Sequence, residues 1–217
     1  MQEQFAQKMI EILNLFTETQ SENMKTVADI IVDRIKEGGR FFVFGTGHSH
    51  MVGEEFYARA GGLACVQLIA PMELTLGEHP LKSTQIERIA EYAHVIMPVE
   101  LAMACHELGM CTIAFTNLKH SQVVTSRHSR GLKLYQVCDY VIDNCGVVGD
   151  AMMEVKGVKG QMGASSSLIG MFMAQTLSML IAQKLAEVGI EPPVFLSANV
   201  DEGDAWNQKI MSEYYHI

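Results

Sequence analysis

Glu54 and Glu55 stand just behind a glycine-rich turn, Gly45-Thr46-Gly47-His48-Ser49-His50, and they are the residues best placed to do chemistry. A carboxylate one helical turn behind such a turn can serve as a base on a ligand held there. It can move a proton α to a carbonyl through an enediolate, the step that interconverts aldose and ketose sugars. Glu78 and His79 are a second candidate pair, in a loop after the second predicted strand. His128 is a third, in Ser126-Arg127-His128-Ser129, where Arg127 can meet an anion and His128 can handle a proton. His48 and His50 flank Ser49, and one of them is expected to face the ligand. Ser165, Ser166 and Ser167 open a long helix; one serine suffices as a cap, and three offer a second row of donors. Each candidate has a plain structural use as well. A first-turn Glu is favoured by the helix dipole, Glu78-His79 can be a solvated loop pair, and Arg127-His128 a basic surface loop. Which of Glu54, Glu55 and Glu78 is the base stays open. The His-x-His spacing lacks further partners at metal-ligand spacing, so neither a metal nor another cofactor is expected.

The elements that would position these groups are legible around the turn. Phe41-Phe42-Val43-Phe44, led by Arg40, reads as a buried strand, and Gly45-Thr46-Gly47 forces a turn. Ser49 is expected to cap a helix over 51–60, which stops at Gly61-Gly62. Strand, glycine turn and helix N-terminus together make an anion site, because backbone N–H groups and the positive end of the helix dipole point at the ligand. The ligand class that fits is a phosphate ester. The dinucleotide fingerprint fails, since His50 stands where its third glycine would be, and the Walker pattern is absent.

The rest of the chain alternates helices and strands. Apolar spacing predicts helices over 2–18 and 21–37, a strand over 63–69, a helix capped by Thr84 and Glu87, a helix over 98–109 begun by Pro98, and strands over 111–115 and 140–142. Residues 118–130 read as polar loop or irregular helix, 146–163 as a glycine-rich mobile segment, and 165–188 as one long helix. One stretch breaks the alternation. The helix ending near Ile96 meets the helix at Pro98 with no strand between them. Read as one helix, 84–109 would run ~39 Å with a proline in its middle, a kink costing roughly 3 kcal/mol. Either a strand and loop have been lost, or the polypeptide carries roughly 20–30 more residues between Ile96 and Met97, enough for both.

The 217 residues are 48% hydrophobic and 19% charged, enough apolar material for a core. The net charge of −9 argues against nucleic acid or an anionic membrane as partner. Five scattered cysteines without a C-x-x-C pair read as reduced thiols of a cytoplasmic protein. The N-terminus lacks the basic start of a signal peptide, and the apolar helix near 168–183 is broken by polar residues, as in a core helix rather than a membrane span.

The chain resembles the SIS (sugar isomerase) domain family, in the bacterial phosphosugar and phosphoheptose isomerase branch. The similar stretches are Gly45-Thr46-Gly47-His48-Ser49-His50 with Glu54-Glu55-Phe56-Tyr57-Ala58-Arg59-Ala60-Gly61-Gly62, then Ser126-Arg127-His128-Ser129, Gly149-Asp150-Ala151, and Glu191-Pro192-Pro193-Val194-Phe195-Leu196-Ser197-Ala198-Asn199-Val200-Asp201. The resemblance implies an α/β three-layer sandwich, a five-stranded parallel sheet flanked by helices, with N-terminal helices over 1–39 and a SIS domain over 40–217 in one globular unit. It implies a homodimer and a phosphosugar bound at the carboxyl edge of the sheet. The family's second, Ser-rich phosphate loop would fall between Ile96 and Met97, and it is absent. The expected function is a phosphosugar isomerase; the alternatives are a non-catalytic sugar-phosphate sensor and an amino-sugar-phosphate lyase.

Overall fold

The computed structural model describes residues 1–75, 81–86, 89 and 97–215. It contains helices α1 (Gln2–Lys36), α2 (Ser49–Phe56), α3 (Lys82–Ile86), α4 (Pro98–Glu107), α5 (Leu118–Val123), α6 (Leu134–Val137), α7 (Ser166–Glu187) and α8 (Gly203–Tyr215). The strands are β1 (Phe41–Phe44), β2 (Val66–Ile69), β3 (Ile113–Thr116), β4 (Tyr140–Asp143), β5 (Ala151–Glu154) and β6 (Gln161–Ala164). Two compact units emerge. One comprises Met1–Met24 with Gln85–Phe172, the other Lys25–Thr84 with Met173–Ile217.

The expected five-stranded parallel sheet and its three-layer sandwich are not found. β1 pairs with β2 and β3 with β4, both parallel, while β5 and β6 form an antiparallel hairpin. Each strand has four residues and one partner. No described residue supplies a strand between β2 and β3 that could bond to the free edge of either pair. Where the alternation calls for one, Ile96 lies outside the described residues, and extended Met97 already caps α4, with Pro98 at its first turn.

The two helices expected at 2–18 and 21–37 are one. Nothing at 17–22 breaks the helix, because the polar side chains there satisfy themselves on it. The Thr17 and Thr19 hydroxyls donate to the carbonyls of Leu13 (2.8 Å) and Leu15 (2.7 Å) one turn back. The helix ends at Gly38, whose φ of +82° suits glycine. Residues 146–163, expected to be a mobile segment, instead carry the β5–β6 hairpin. Gly163, at φ +73°, leaves no room for a side chain: a Cβ there would sit 2.9 Å from the Phe5 ring of α1.

In the first unit Met9, Ile12 and Phe16 of α1 are buried with Ala114, Ile142, Met152 and Ile169. Phe16 stacks edge-on against Phe172, ring centroids 5.9 Å apart. In the second, the far half of α1 buries Val27, Ile31 and Val32, and the tail closes over Ala64 with Phe195 and Ile210. Two hydrogen bonds fix that tail: Trp206 Nε1 donates to the Val194 carbonyl at 2.7 Å, and the Tyr215 hydroxyl to the Val66 carbonyl at 3.1 Å. α7 is the one described helix long and apolar enough to cross a membrane. Its residues Ile169, Met173, Leu177, Ile181 and Leu185, spaced by four, are all fully buried, which makes it a core helix and gives no indication of a membrane protein.

Each of those aliphatic side chains contributes about 1.5–3 kcal/mol by leaving water. Leu177→Ala removes contacts in a place that cannot collapse freely, so it should cost about 2–5 kcal/mol. Urea unfolding followed by circular dichroism measures this; a midpoint unchanged from the wild type would contradict the core placement.

Candidate functional site

β1 runs directly into the glycine turn, and backbone crowding dictates the first glycine. A Cβ on residue 45 would lie 2.4 Å from the Ser49 carbonyl oxygen and 2.8 Å from the His50 nitrogen, so only glycine fits. Gly47 takes the left-handed conformation at φ +54° and donates its N–H to the Leu74 carbonyl at 2.9 Å. The N-cap of α2 is His48, not the expected Ser49, and no side chain caps that end. The Ser49, His50 and Met51 N–H groups are spent on the carbonyls of Thr46, Gly47 and His48. Among the described residues the N–H groups of Thr46 and His48 and the hydroxyls of Thr46 and Ser49 have no partner. The turn therefore keeps donors for an anion, although fewer than a fully open loop would.

Behind the turn, α2 packs on β2, with Gly53 against Leu68. His50 is 6% exposed. Its Nε2 lies 3.1 Å from Glu54 Oε1, and among the described residues its buried Nδ1 has no partner. A carboxylate accepts, so Nε2 carries the proton and Nδ1 presents a bare lone pair. A buried polar atom left in that state costs roughly 1–3 kcal/mol, which a bound ligand can relieve. Glu54 is otherwise turned outward, its side chain 58% exposed, whereas that of Glu55 is 18% exposed. Arg59 and Gln175 both donate to Glu55 Oε1, Gln175 Nε2 at 2.7 Å, which leaves Oε2 spare. Glu78 and His79 lie outside the described residues.

The other expected site residues belong to the first unit, and most of their polar groups are engaged. The Ser165 N–H (2.9 Å) and hydroxyl (3.0 Å) and the Ser166 N–H (2.7 Å) donate to Asp150 Oδ1, and the Ser166 hydroxyl donates to Oδ2 at 2.7 Å. The start of α7 thus holds an anion already, the chain's own carboxylate. Asp150 reaches it from a left-handed backbone at φ +70°. Ser167 makes no such bond. His128 donates from Nε2 to Glu100 Oε1 at 2.7 Å and accepts the Arg130 N–H on Nδ1 at 3.2 Å, so both ring nitrogens are taken. Arg127 is exposed and without a partner among the described residues. No group of three or more metal-ligating side chains occurs among the described residues.

Asp150 and Gln175 are the residues that sequence reasoning missed. Asp150 lies in Gly149-Asp150-Ala151, one of the stretches that carry the family resemblance, but nothing local ties it to serines fifteen residues on. Gln175 sits mid-helix in an apolar run, where its polarity was the only signal.

A SIS domain matches residues 4–98, a domain that points to sugar-phosphate-related function. The chain is similar to a UPF0309 protein of Halalkalibacterium halodurans, 44% identical over 225 residues, covering 94% of this chain and 93% of that protein. A UPF0309 protein of Caldanaerobacter subterraneus is 37% identical over 221 residues, 90% of each chain. A third, from Shouchella clausii, is 32% identical over 237 residues, 99% of this chain and 96% of its own. That last alignment is longer than the 217 residues here, so the relative carries internal residues with no counterpart in this chain.

Burial works to raise the Asp150 carboxyl, but the hydrogen bonds from Ser166 and Ser165 outweigh it and hold it below the usual carboxylate range. A depressed folded value adds stability above the unfolded value and loses it as pH falls through the folded one. Asp150→Ala should therefore cost about 1–2 kcal/mol at neutral pH, the range of a lost helix cap. The gap between variant and wild type should shrink below pH ~4, near the unperturbed carboxylate value. Thermal melts across pH test both; a gap constant down to the acid limit would contradict the ionised cap.

Proposed function

Because the chain belongs to the UPF0309 family of SIS-domain proteins, we propose that it binds a phosphosugar and interconverts its aldose and ketose forms. The observation that carries this reading is His50, buried behind the glycine turn with Nε2 fixed by Glu54 and Nδ1 bare. The phosphate sits at the Thr46 and His48 N–H groups and the Thr46 and Ser49 hydroxyls, where the dipole of α2 adds to the attraction. His50 Nδ1 takes the proton of the anomeric hydroxyl as the bond from the anomeric carbon to the ring oxygen breaks, and the imidazolium gives that proton to the ring oxygen, which leaves an open-chain aldehyde. Glu55, oriented through Oε1 by Arg59 and Gln175, takes the proton from the carbon next to the carbonyl with Oε2 and returns it to the neighbouring carbon of the enediolate. The carbon-bound proton ends one carbon along, the proton of the adjacent hydroxyl passes to the former carbonyl oxygen, and neither water nor a redox partner is consumed.

Hexose, heptose and amino-sugar phosphates, tried first by thermal shift and then by turnover, test this reading. At least one aldose or ketose phosphate should raise Tm and be isomerised. Glu55→Gln should keep the shift and cut turnover by roughly 10²–10⁴-fold. Stabilisation without turnover would make the protein a sensor of sugar phosphates. Full activity in Glu55→Gln would move the base to Glu54 or Glu78. No stabilisation by any member would overturn the reading.

A further inference from the structure

A cavity of about 670 Å³ opens within the first unit, among the first half of α1, the start of α5, the residues that follow β4 and the β5–β6 hairpin. Small-molecule sites occupy ~300–1,000 Å³. The cavity reaches Asp143, which ends β4, and Lys119, just past the end of β3, so it lies at the carboxyl edge of that parallel pair, the edge at which such sheets receive ligands. It shares no lining residue with the glycine turn. Four charged side chains line it: Lys8 and Glu11 of α1, Lys119 of α5 and Asp143. Lys8 and Glu11 are three apart on one helix, a spacing that favours an ion pair, yet none of the four is ion-paired among the described residues. Lys8 instead crosses to β5, where its ammonium donates to the Met152 carbonyl at 2.7 Å and keeps two N–H groups. Asp143 Oδ1 accepts the Leu118 N–H at 2.9 Å and the Cys145 N–H at 3.2 Å, which leaves Oδ2 open. Glu11 accepts on Oε1, from Gln7 Nε2 at 3.2 Å, and Lys119 has no partner among the described residues. The backbone thus holds Lys8 and Asp143 in place with bonding capacity left over. Leu15, 46% exposed, and Val148, 44% exposed, add apolar wall to the same cavity.

We propose that this cavity binds a short apolar peptide of dipeptide size by its two ionised ends. The charges decide the class. Two ammonium groups and two carboxylates sum to zero, so a ligand of one sign, a sugar phosphate included, meets as many like charges as opposite ones. An uncharged apolar ligand would leave all four without a partner. A dipeptide is neutral overall and carries one charge of each sign at separate ends. Its carboxylate takes N–H groups from Lys119 and Lys8, and its ammonium donates to Asp143 Oδ2 and Glu11 Oε2, contacts of the charge-assisted kind. Its side chains lie on Leu15 and Val148 and leave water there, which supplies the apolar share of the affinity. A single amino acid carries both charges on one carbon and fills a small part of the volume. Binding is noncovalent and independent of the glycine turn.

Isothermal titration of the full-length chain with leucyl-leucine tests the proposal, beside two probes of the same shape that each lack one charge, N-acetyl-leucyl-leucine and leucyl-leucine amide. Leucyl-leucine should bind at a single site, and each capped form should bind roughly 10–100-fold more weakly, the loss expected for contacts to a charged group. Lys119→Ala and Glu11→Gln alter exposed side chains and leave the fold intact. Lys119→Ala should weaken leucyl-leucine and narrow its advantage over the amide; Glu11→Gln should narrow its advantage over the acetylated form. No binding of leucyl-leucine at millimolar concentration, equal binding of the capped forms, or an affinity unchanged in both variants would overturn the proposal.

Discussion

The close approach of Gly45 to the first turn of α2 governs the rest of the site. With the Ser49 carbonyl 2.4 Å from where a Cβ would be, β1 and α2 can join in this geometry only at a residue without a side chain. That junction directs the start of α2 back over the end of β1. It places His50 inside, with Glu54 one turn further along the same face, and sets Glu55 beside Arg59 and Gln175. The glycine therefore serves the backbone first. The helix N-terminus it creates has no side-chain cap and, among the described residues, retains unpartnered donors at Thr46, His48 and Ser49, which the proposed phosphate would use.

The chain treats its helix starts in two ways, and the contrast separates binding from architecture. Among the described residues no carboxylate answers the α2 dipole, and a buried imidazole nitrogen is left without a partner. At α7 Asp150 receives four hydrogen bonds from Ser165 and Ser166, so the electrostatic demand of that end is met within the chain. His128 is likewise satisfied, between Glu100 and the Arg130 N–H. Groups of the same chemical type thus differ in availability, and availability singles out the glycine turn.

Local patterns were the most legible part of the sequence. The β1–turn–α2 unit, the proline start of α4 and the long α7 follow from apolar spacing, glycine and proline, which act over a few residues. Tertiary pairing was not legible. The single long α1 depended on Thr17 and Thr19 bonding back to their own helix, an option that composition does not reveal. The β5–β6 hairpin depended on antiparallel partners within a glycine-rich stretch that carries little strand propensity. The five-stranded sheet came from resemblance, and the described residues hold two separate parallel pairs instead. The break was nonetheless visible in the sequence, as a helix running into Pro98 without a strand, and the Shouchella clausii relative has internal residues that this chain lacks. At the site, Glu54, Glu55 and His50 could be named from their distance to the turn, whereas Gln175 reaches Glu55 across 120 residues and no local rule finds it.

The central claim is that His50 presents an unprotonated Nδ1 to a bound sugar phosphate while Glu54 holds the proton on Nε2. Long-range proton–nitrogen NMR of the imidazole rings reads this directly. The account predicts a free protein in which His50 is protonated on Nε2 alone, and an Nδ1 resonance that shifts when a stabilising hexose phosphate is added. A proton on Nδ1 in the free protein, or an Nδ1 signal that does not move while the sugar phosphate binds, would contradict it.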